Sequence, residues 1–210
     1  GGVSWVKGDG YVVGRGEALD EAIDAGYTFI AVADEELANL YADYVFLGYS
    51  VAGVDVDEGR VDLVGLLRTG VLLAGRWGSI ALLCGSKPAR CFAGLAAAYV
   101  VRGVGVLEAV ERSWESVTRA YGGGLRVPRQ VLQGLAALSK LVGVLSLERL
   151  VLAESIASRY SYGDGRLWYG EVVARTVLLR GDVGSVTAAL LSFLMRGPGN
   201  PTELVERRSP

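Results

Sequence analysis

The chain has 210 residues, of which 51% are hydrophobic and 21% charged, and its formal net charge is -2. This composition predicts a folded protein, because disordered chains are poor in apolar residues and rich in charge. The 21 basic residues face 23 acidic ones, so nucleic-acid binding through bulk positive charge is not expected. Histidine is absent and there are two cysteines, which excludes zinc sites of the Cys/His kind and every histidine-based nucleophilic mechanism.

The apolar runs of the chain are too short to cross a bilayer. The run at 91–101 ends at Arg102, and the run at 131–157 contains four charged residues, whereas a transmembrane helix needs about 20 apolar residues. The N-terminal residues show no secretory-signal pattern. We therefore expect a cytoplasmic protein with no membrane partner. Only two Asn and two Gln occur, which suits a heat-adapted protein.

The first hundred residues alternate apolar runs with amphipathic segments, which predicts an α/β domain with a mainly parallel sheet flanked by helices. The continuous apolar run at 28–33 is typical of a strand buried on both faces, and the segment at 54–60 is predicted as an acidic loop. The predicted strands are 11–14, 28–33, part of 43–53, and 79–84; the predicted helices are 17–25, 34–42, 61–75 and about 91–102.

Beyond Gly105 only helices are predicted, at 106–119, 128–144, 146–161, 168–180 and 183–195. We therefore divide the chain into an α/β domain at 1–145, a helical extension at 146–200 and a loose polar tail at 201–210. The extension is expected to pack on the α/β domain; the alternative is an interaction surface, which includes a homodimer formed through these helices.

One short segment carries recognisable chemistry: C-G-S-K-P-A-R, from Cys84 to Arg90, between a buried strand and a helix. Backbone N–H groups at a helix N-terminus bind oxyanions, and their positive potential lowers the pKa of a cysteine beside them. An arginine six residues later is placed to bind two phosphate oxygens. A thiolate beside an oxyanion cradle predicts attack on phosphorus through a cysteinyl-phosphate.

With this loop, residues 3–145 resemble the cysteine-dependent dual-specificity and tyrosine phosphatases of the C-x5-R kind. The resemblance extends to YVVGRGEALDEAIDAGYTFIAVADEE, to VDVDEGRVDLVGLL and to the helices after the loop. It implies a phosphatase-like fold and metal-independent hydrolysis of phosphomonoesters, first of all on tyrosine or serine/threonine of proteins. It implies no cofactor, and its substrate partner is a phosphorylated protein or a small phosphomonoester.

The resemblance also implies roles for individual residues. Cys84 is the expected nucleophile, and Arg90 binds the phosphate and the transition state. The general acid is expected on the acidic segment, with Asp57 first, Glu58 as the alternative, and Asp55 and Asp62 as weaker candidates. Phosphate contacts are expected from Gly85, Ser86, Lys87, Ala89 and Arg90, and Gln130 or Gln133 falls in the region that positions water.

Four positions depart from the family pattern. Leu83 stands where the family has histidine, Lys87 where it has glycine, and Cys91 where it has serine or threonine; Pro88 removes one N–H from the cradle. Lys87 either adds a cation that favours polyanionic substrates or points into solvent. Cys91 either forms a reversible disulfide with Cys84 that protects the thiolate or is a small buried residue in the first turn of a helix.

Two other functions stay open at this point. The altered loop is compatible with a phosphatase-like module that binds phosphate without turnover. The strand and cysteine loop also resemble those of rhodanese-type sulfurtransferases, although their closing GG-W segment is missing.

Overall fold

The computed structural model describes residues 5–14, 18–43, 49–57, 60–75, 79–123, 125–144, 146 and 150–151. The strands are β1 (Val6–Lys7), β2 (Val12–Gly14), β3 (Phe29–Val32), β4 (Tyr49–Gly53), β5 (Val56–Asp57), β6 (Arg60–Val61) and β7 (Ser79–Leu83). The helices are α1 (Ala18–Asp24), α2 (Glu35–Asp43), α3 (Leu63–Ala74), α4 (Pro88–Val101), α5 (Val106–Tyr121) and α6 (Arg129–Val144).

Five strands form one sheet in the order β1-β2-β3-β7-β4, and β5 and β6 form a separate hairpin. Strands β2, β3, β7 and β4 are parallel, whereas β1 pairs with β2 in the antiparallel direction. Strand β7 therefore lies between β3 and β4, although it follows both in the chain. This insertion brings the carboxyl ends of three neighbouring strands to one edge of the sheet.

Both faces of the sheet are covered. Successive side chains along a strand point to opposite faces, so each strand contributes side chains to the packing on both. Phe29 and Ala31 belong to the main core together with α3, α4, α5 and α6, whereas Ile30 and Val32 belong to a second cluster on the opposite face. Each strand buried on both faces has to be apolar at successive positions. The predicted α/β domain with a mainly parallel sheet flanked by helices is confirmed.

The helices that follow β3 and β7 lie on opposite faces of the sheet. Leu37 of α2 packs against the second cluster, whereas α4 lies in the main core. Connections that leave adjacent parallel strands on opposite faces open a crevice at the carboxyl edge, where open α/β sheets place their ligands. Here that crevice lies beside Cys84, the residue after β7.

Three local predictions need correction. The segment predicted as an acidic loop at 54–60 contains the β5–β6 hairpin. Helix α4 begins at Pro88 rather than near residue 91, because proline is favoured in the first turn, where its missing N–H has no intrahelical acceptor. Strand β1 has no counterpart in the prediction. The helices predicted beyond residue 151 lie outside the described residues. Within the described residues, no helix is long and apolar enough to span a membrane.

Candidate active site

The segment after β7 turns sharply into α4. The N–H groups of Cys84 and Gly85 both donate to the carbonyl oxygen of Val32, at 3.0 and 3.1 Å, which continues the pairing with β3 past the end of the strand. Gly85 has a φ of 61°, a left-handed conformation that glycine adopts without a steric penalty. Only Gly85, Ser86 and Lys87 separate Cys84 from α4, so the phosphate loop predicted from Cys84 to Arg90 is a short turn plus the first helical residues.

The two cysteines are joined by a disulfide across this turn, with Cα atoms 4.9 Å apart. Both residues have no exposed surface. Cys91 is thus both a buried residue in the first turn of α4 and the covalent partner of Cys84. Tyr121, at the end of α5, donates its hydroxyl to the carbonyl oxygen of Gly85 at 2.7 Å and lies 3.6 Å from the sulfur of Cys91. In this state Cys84 has no thiolate, so any nucleophilic reaction of Cys84 requires prior reduction.

Arg90 also lies in the first turn of α4, and its side chain is 21% exposed. One terminal nitrogen is 3.2 Å from Oδ1 of Asp55, on the segment that leads into the hairpin. Its Nε is buried, and within the described part of the chain it has no hydrogen-bond acceptor. Leaving a buried charged donor unsatisfied is costly, so an acceptor that reached this N–H would be stabilised.

Asp57 on β5, the first choice for the general acid, pairs with Lys87, whose Nζ lies 2.9 Å from its Oδ1. This hydrogen bond and the positive charge of Lys87 lower the pKa of Asp57. The lowered pKa favours the ionised form of Asp57, whereas a general acid has to hold a proton. Lys87 does not point freely into solvent, and its charge is already paired. Glu58 lies outside the described residues.

Three further candidates have other surroundings than predicted. Asp62 caps α3, because its Oδ1 accepts from the N–H of Gly65 at 2.9 Å. This contact gives Asp62 a structural role at the start of α3. Gln130 is half-buried and Gln133 exposed in the first turns of α6. No hydrogen bond joins either glutamine to the cysteine turn within the described ranges.

One residue at this edge was not expected from the sequence. Glu35, the first residue of α2, accepts from the N–H of Ser86 at 2.9 Å and from its hydroxyl at 3.2 Å, both through Oε2. These two bonds, with smaller effects of Arg90 and Lys87, lower its pKa. The sequence signal was the acidic first turn of α2, which is explained equally well by the helix dipole.

The N–H groups of the turn are only partly available to a ligand. Those of Gly85 and Arg90 donate to carbonyl oxygens of the chain, that of Ser86 donates to Glu35, and Pro88 has none. For the N–H group of Ala89, no acceptor is found among the residues that the structure describes. This backbone donor and Nε of Arg90 are thus the donors of the segment that have no acceptor within those ranges.

No protein-family model matches this chain, and neither a curated protein nor a solved structure is detectably similar to it. Within the described ranges no group of three or more Cys, Asp or Glu side chains has the arrangement of a metal site.

Proposed function

We propose that this chain is a cysteine-dependent phosphomonoesterase with a phosphatase-like fold, in which reduced Cys84 is the nucleophile and Arg90 binds the phosphate. The observation that carries the proposal is the buried, unpaired Nε of Arg90 in the helical turn that follows Cys84. A phosphate oxygen is the acceptor that this guanidinium lacks, since arginine binds phosphate through paired N–H groups.

The position of the turn supports the same function. Cys84 follows the carboxyl end of an inner parallel strand, at the crevice between helices on opposite faces of the sheet. The N-terminus of α4 adds the positive end of a helix dipole and the N–H group of Ala89. Thiol, guanidinium and helix dipole thus belong to one short segment, from Cys84 to Arg90.

The reaction begins with reduction of the disulfide. An external dithiol supplies two electrons and two protons and becomes a disulfide itself, which leaves Cys84 and Cys91 as thiols. The Cys84 thiolate then forms a bond to phosphorus while the bond to the ester oxygen breaks, and that oxygen takes a proton from a carboxylic acid. Asp57 is the first candidate for this acid, and it can hold the proton only when its contact with Lys87 is broken. Water hydrolyses the cysteinyl-phosphate and returns the thiolate.

The test is hydrolysis of an aryl phosphate at elevated temperature, with reductant and chelator present, by wild type, Cys84→Ser and Cys91→Ser. We expect turnover in wild type, loss of about six orders of magnitude in Cys84→Ser, as for removal of a nucleophile, and retained turnover in Cys91→Ser. Cys91→Ser is the matched control, because it removes the disulfide without removing the nucleophile. Equal activity in the two cysteine variants would refute the proposal.

A second function is favoured by one observation. The N–H groups of Gly85 and Arg90 are bonded within the chain and Pro88 lacks one, so the turn offers fewer donors to a transition state than a complete cradle. This smaller number of N–H donors is compatible with a module that binds phosphate without turnover. Binding of inorganic sulfate with no hydrolysis in any variant would favour it.

A further inference from the structure

The carboxylate of Glu35 lies where the turn would bind an anion. Its Oε2 accepts both the N–H and the hydroxyl of Ser86, a residue 51 positions away in the sequence. The two residues meet because β3 and β7 are neighbours in the sheet. A backbone N–H at a helix N-terminus is a donor that phosphate oxygens use, so Glu35 and a phosphate would accept from the same group.

Gly85 provides the space for this approach. A Cβ atom at Gly85 would lie 2.3 Å from Oε2 of Glu35 and 3.4 Å from a terminal nitrogen of Arg90. The carboxylate and the guanidinium therefore face the same glycine. Any side chain at Gly85 would displace Glu35, so the contact depends on a residue whose φ of 61° also favours glycine.

The two cations of the turn are held in the same way. Arg90 pairs with Asp55, and Lys87 pairs with Asp57. Three carboxylates thus lie beside two cations, and each contacts a different group. Glu35 accepts from a backbone N–H, Asp55 pairs with a guanidinium, and Asp57 pairs with an ammonium. They do not converge on a common point as metal ligands do, as far as the described residues show.

We propose that Glu35 is a specificity-determining residue of this turn, and that its carboxylate competes with the phosphate of the substrate for the donors of Ser86. The inference rests on the proposed function, because it takes the turn to be the phosphate site. An anion then binds by displacing Glu35. The negative balance of the rim also disfavours substrates with acidic groups beside the phosphate, so the substrate class is a compact phosphomonoester in neutral or basic surroundings rather than a polyanion.

The test measures the affinity of reduced protein for inorganic sulfate by calorimetry at pH 7 and constant ionic strength. Glu35→Gln removes the competing charge but keeps the size of the side chain. We expect it to bind sulfate roughly three- to fivefold more tightly than wild type, the range of an exposed charged contact. The matched control is Glu36→Gln, which removes the same charge from the next, exposed residue of α2 and is expected to stay within about twofold of wild type.

A second variant covers the case in which Glu35→Gln disturbs α2. Ser86→Ala keeps the backbone N–H but removes the hydroxyl that also holds Glu35, so sulfate should bind more tightly, by a smaller factor. If wild type binds sulfate and Glu35→Gln binds it equally or less tightly, Glu35 supports the turn and the inference is wrong while the proposed function stands. If neither wild type nor any variant binds sulfate, the phosphate site itself is refuted, and the inference falls with it.

Discussion

Helices α2 and α4 begin at the same edge of the sheet after neighbouring strands, yet their first turns are satisfied in different ways. At α2 the side chain of Asp34 accepts from the N–H of Leu37 at 3.0 Å, the common solution for a helix N-terminus. At α4 the preceding residue is Lys87, whose side chain makes no capping hydrogen bond. A lysine at this place adds a cation to the positive end of the helix dipole.

The difference shows what kind of partner each helix start accepts. The N-terminus of α2 is satisfied by the residue beside it. The turn before α4 is contacted instead by carboxylates from distant segments: Glu35 on Ser86, Asp57 on Lys87, and Asp55 on Arg90. A start that collects anionic groups from elsewhere in the chain is suited to bind an anion from solution.

The largest expected effect concerns the disulfide, which crosses the start of α4. Exposure of wild type to air should abolish aryl phosphate hydrolysis, and a dithiol should restore it, because the proposed mechanism requires the Cys84 thiolate. Cys91→Ala removes the partner of Cys84 and should retain activity under air in the short term. Thiol titration of both proteins before each assay measures the oxidation state. Full activity of wild type with no titratable thiol would contradict a cysteine nucleophile.

The next effect concerns the guanidinium in the first turn of α4. Arg90→Lys keeps a positive charge but loses the planar fork that binds two oxygens, so kcat/KM should fall by about two orders of magnitude, as for loss of a transition-state donor. The control is Arg112→Lys on α5, where Arg112 pairs with Glu108 on the surface and no change is expected. Circular dichroism before the assay checks that both variants are folded. An unchanged kcat/KM in Arg90→Lys would mean that α4 does not bind the phosphate.

A smaller effect concerns the lysine that stands at the N-cap of α4. Because Lys87 lowers the pKa of Asp57, Lys87→Gln should raise that pKa, and Asp57 should stay protonated to a higher pH. If Asp57 is the general acid, the fall of kcat/KM with rising pH therefore moves to higher pH. Lys140→Gln, at an exposed site on α6, is the control and should leave the profile in place. An unmoved profile in Lys87→Gln would direct the search for the acid to Glu58.

The strands were predictable because their local pattern carries the relevant physics. A run such as Phe29–Val32 packs on both faces of the sheet, so it has to be apolar at every position, and nothing distant changes this requirement. The same requirement applies to β7, so its apolar run correctly predicted that Cys84 stands at the end of a buried strand. Strand β1 has two residues and depends on pairing with β2, which no local pattern shows.

The surroundings of the site were less predictable, because they depend on which strands are neighbours. Insertion of β7 between β3 and β4 brings Glu35 and Asp55 to opposite sides of the turn. The order of strands in a sheet cannot be predicted from the pattern of any short segment. The early start of α4 had a local signal, Pro88 in the first turn, although the apolar pattern placed the helix start near residue 91. The pairing of Lys87 with Asp57 had no local sequence signal, since the pattern around each residue is equally typical of a charge exposed to solvent.

The smallest effect tests the comparison of helix starts directly. Asp34→Ala and Asp62→Ala each remove a capping carboxylate, and each should lower the free energy of unfolding by about 1 kcal/mol in urea titrations at pH 7. Glu35→Gln should lower it by less, because the contact with Ser86 is exposed and joins distant segments. The pKa of Glu35 is lowered in the folded chain. Its contribution to the free energy of unfolding is therefore present at neutral pH and is lost as the pH falls through the pKa of Glu35 in the folded state. A loss in Glu35→Gln as large as in the two aspartate variants would mean that Glu35 serves α4 as its missing cap, and the contrast between α2 and α4 would then no longer argue for an external anion.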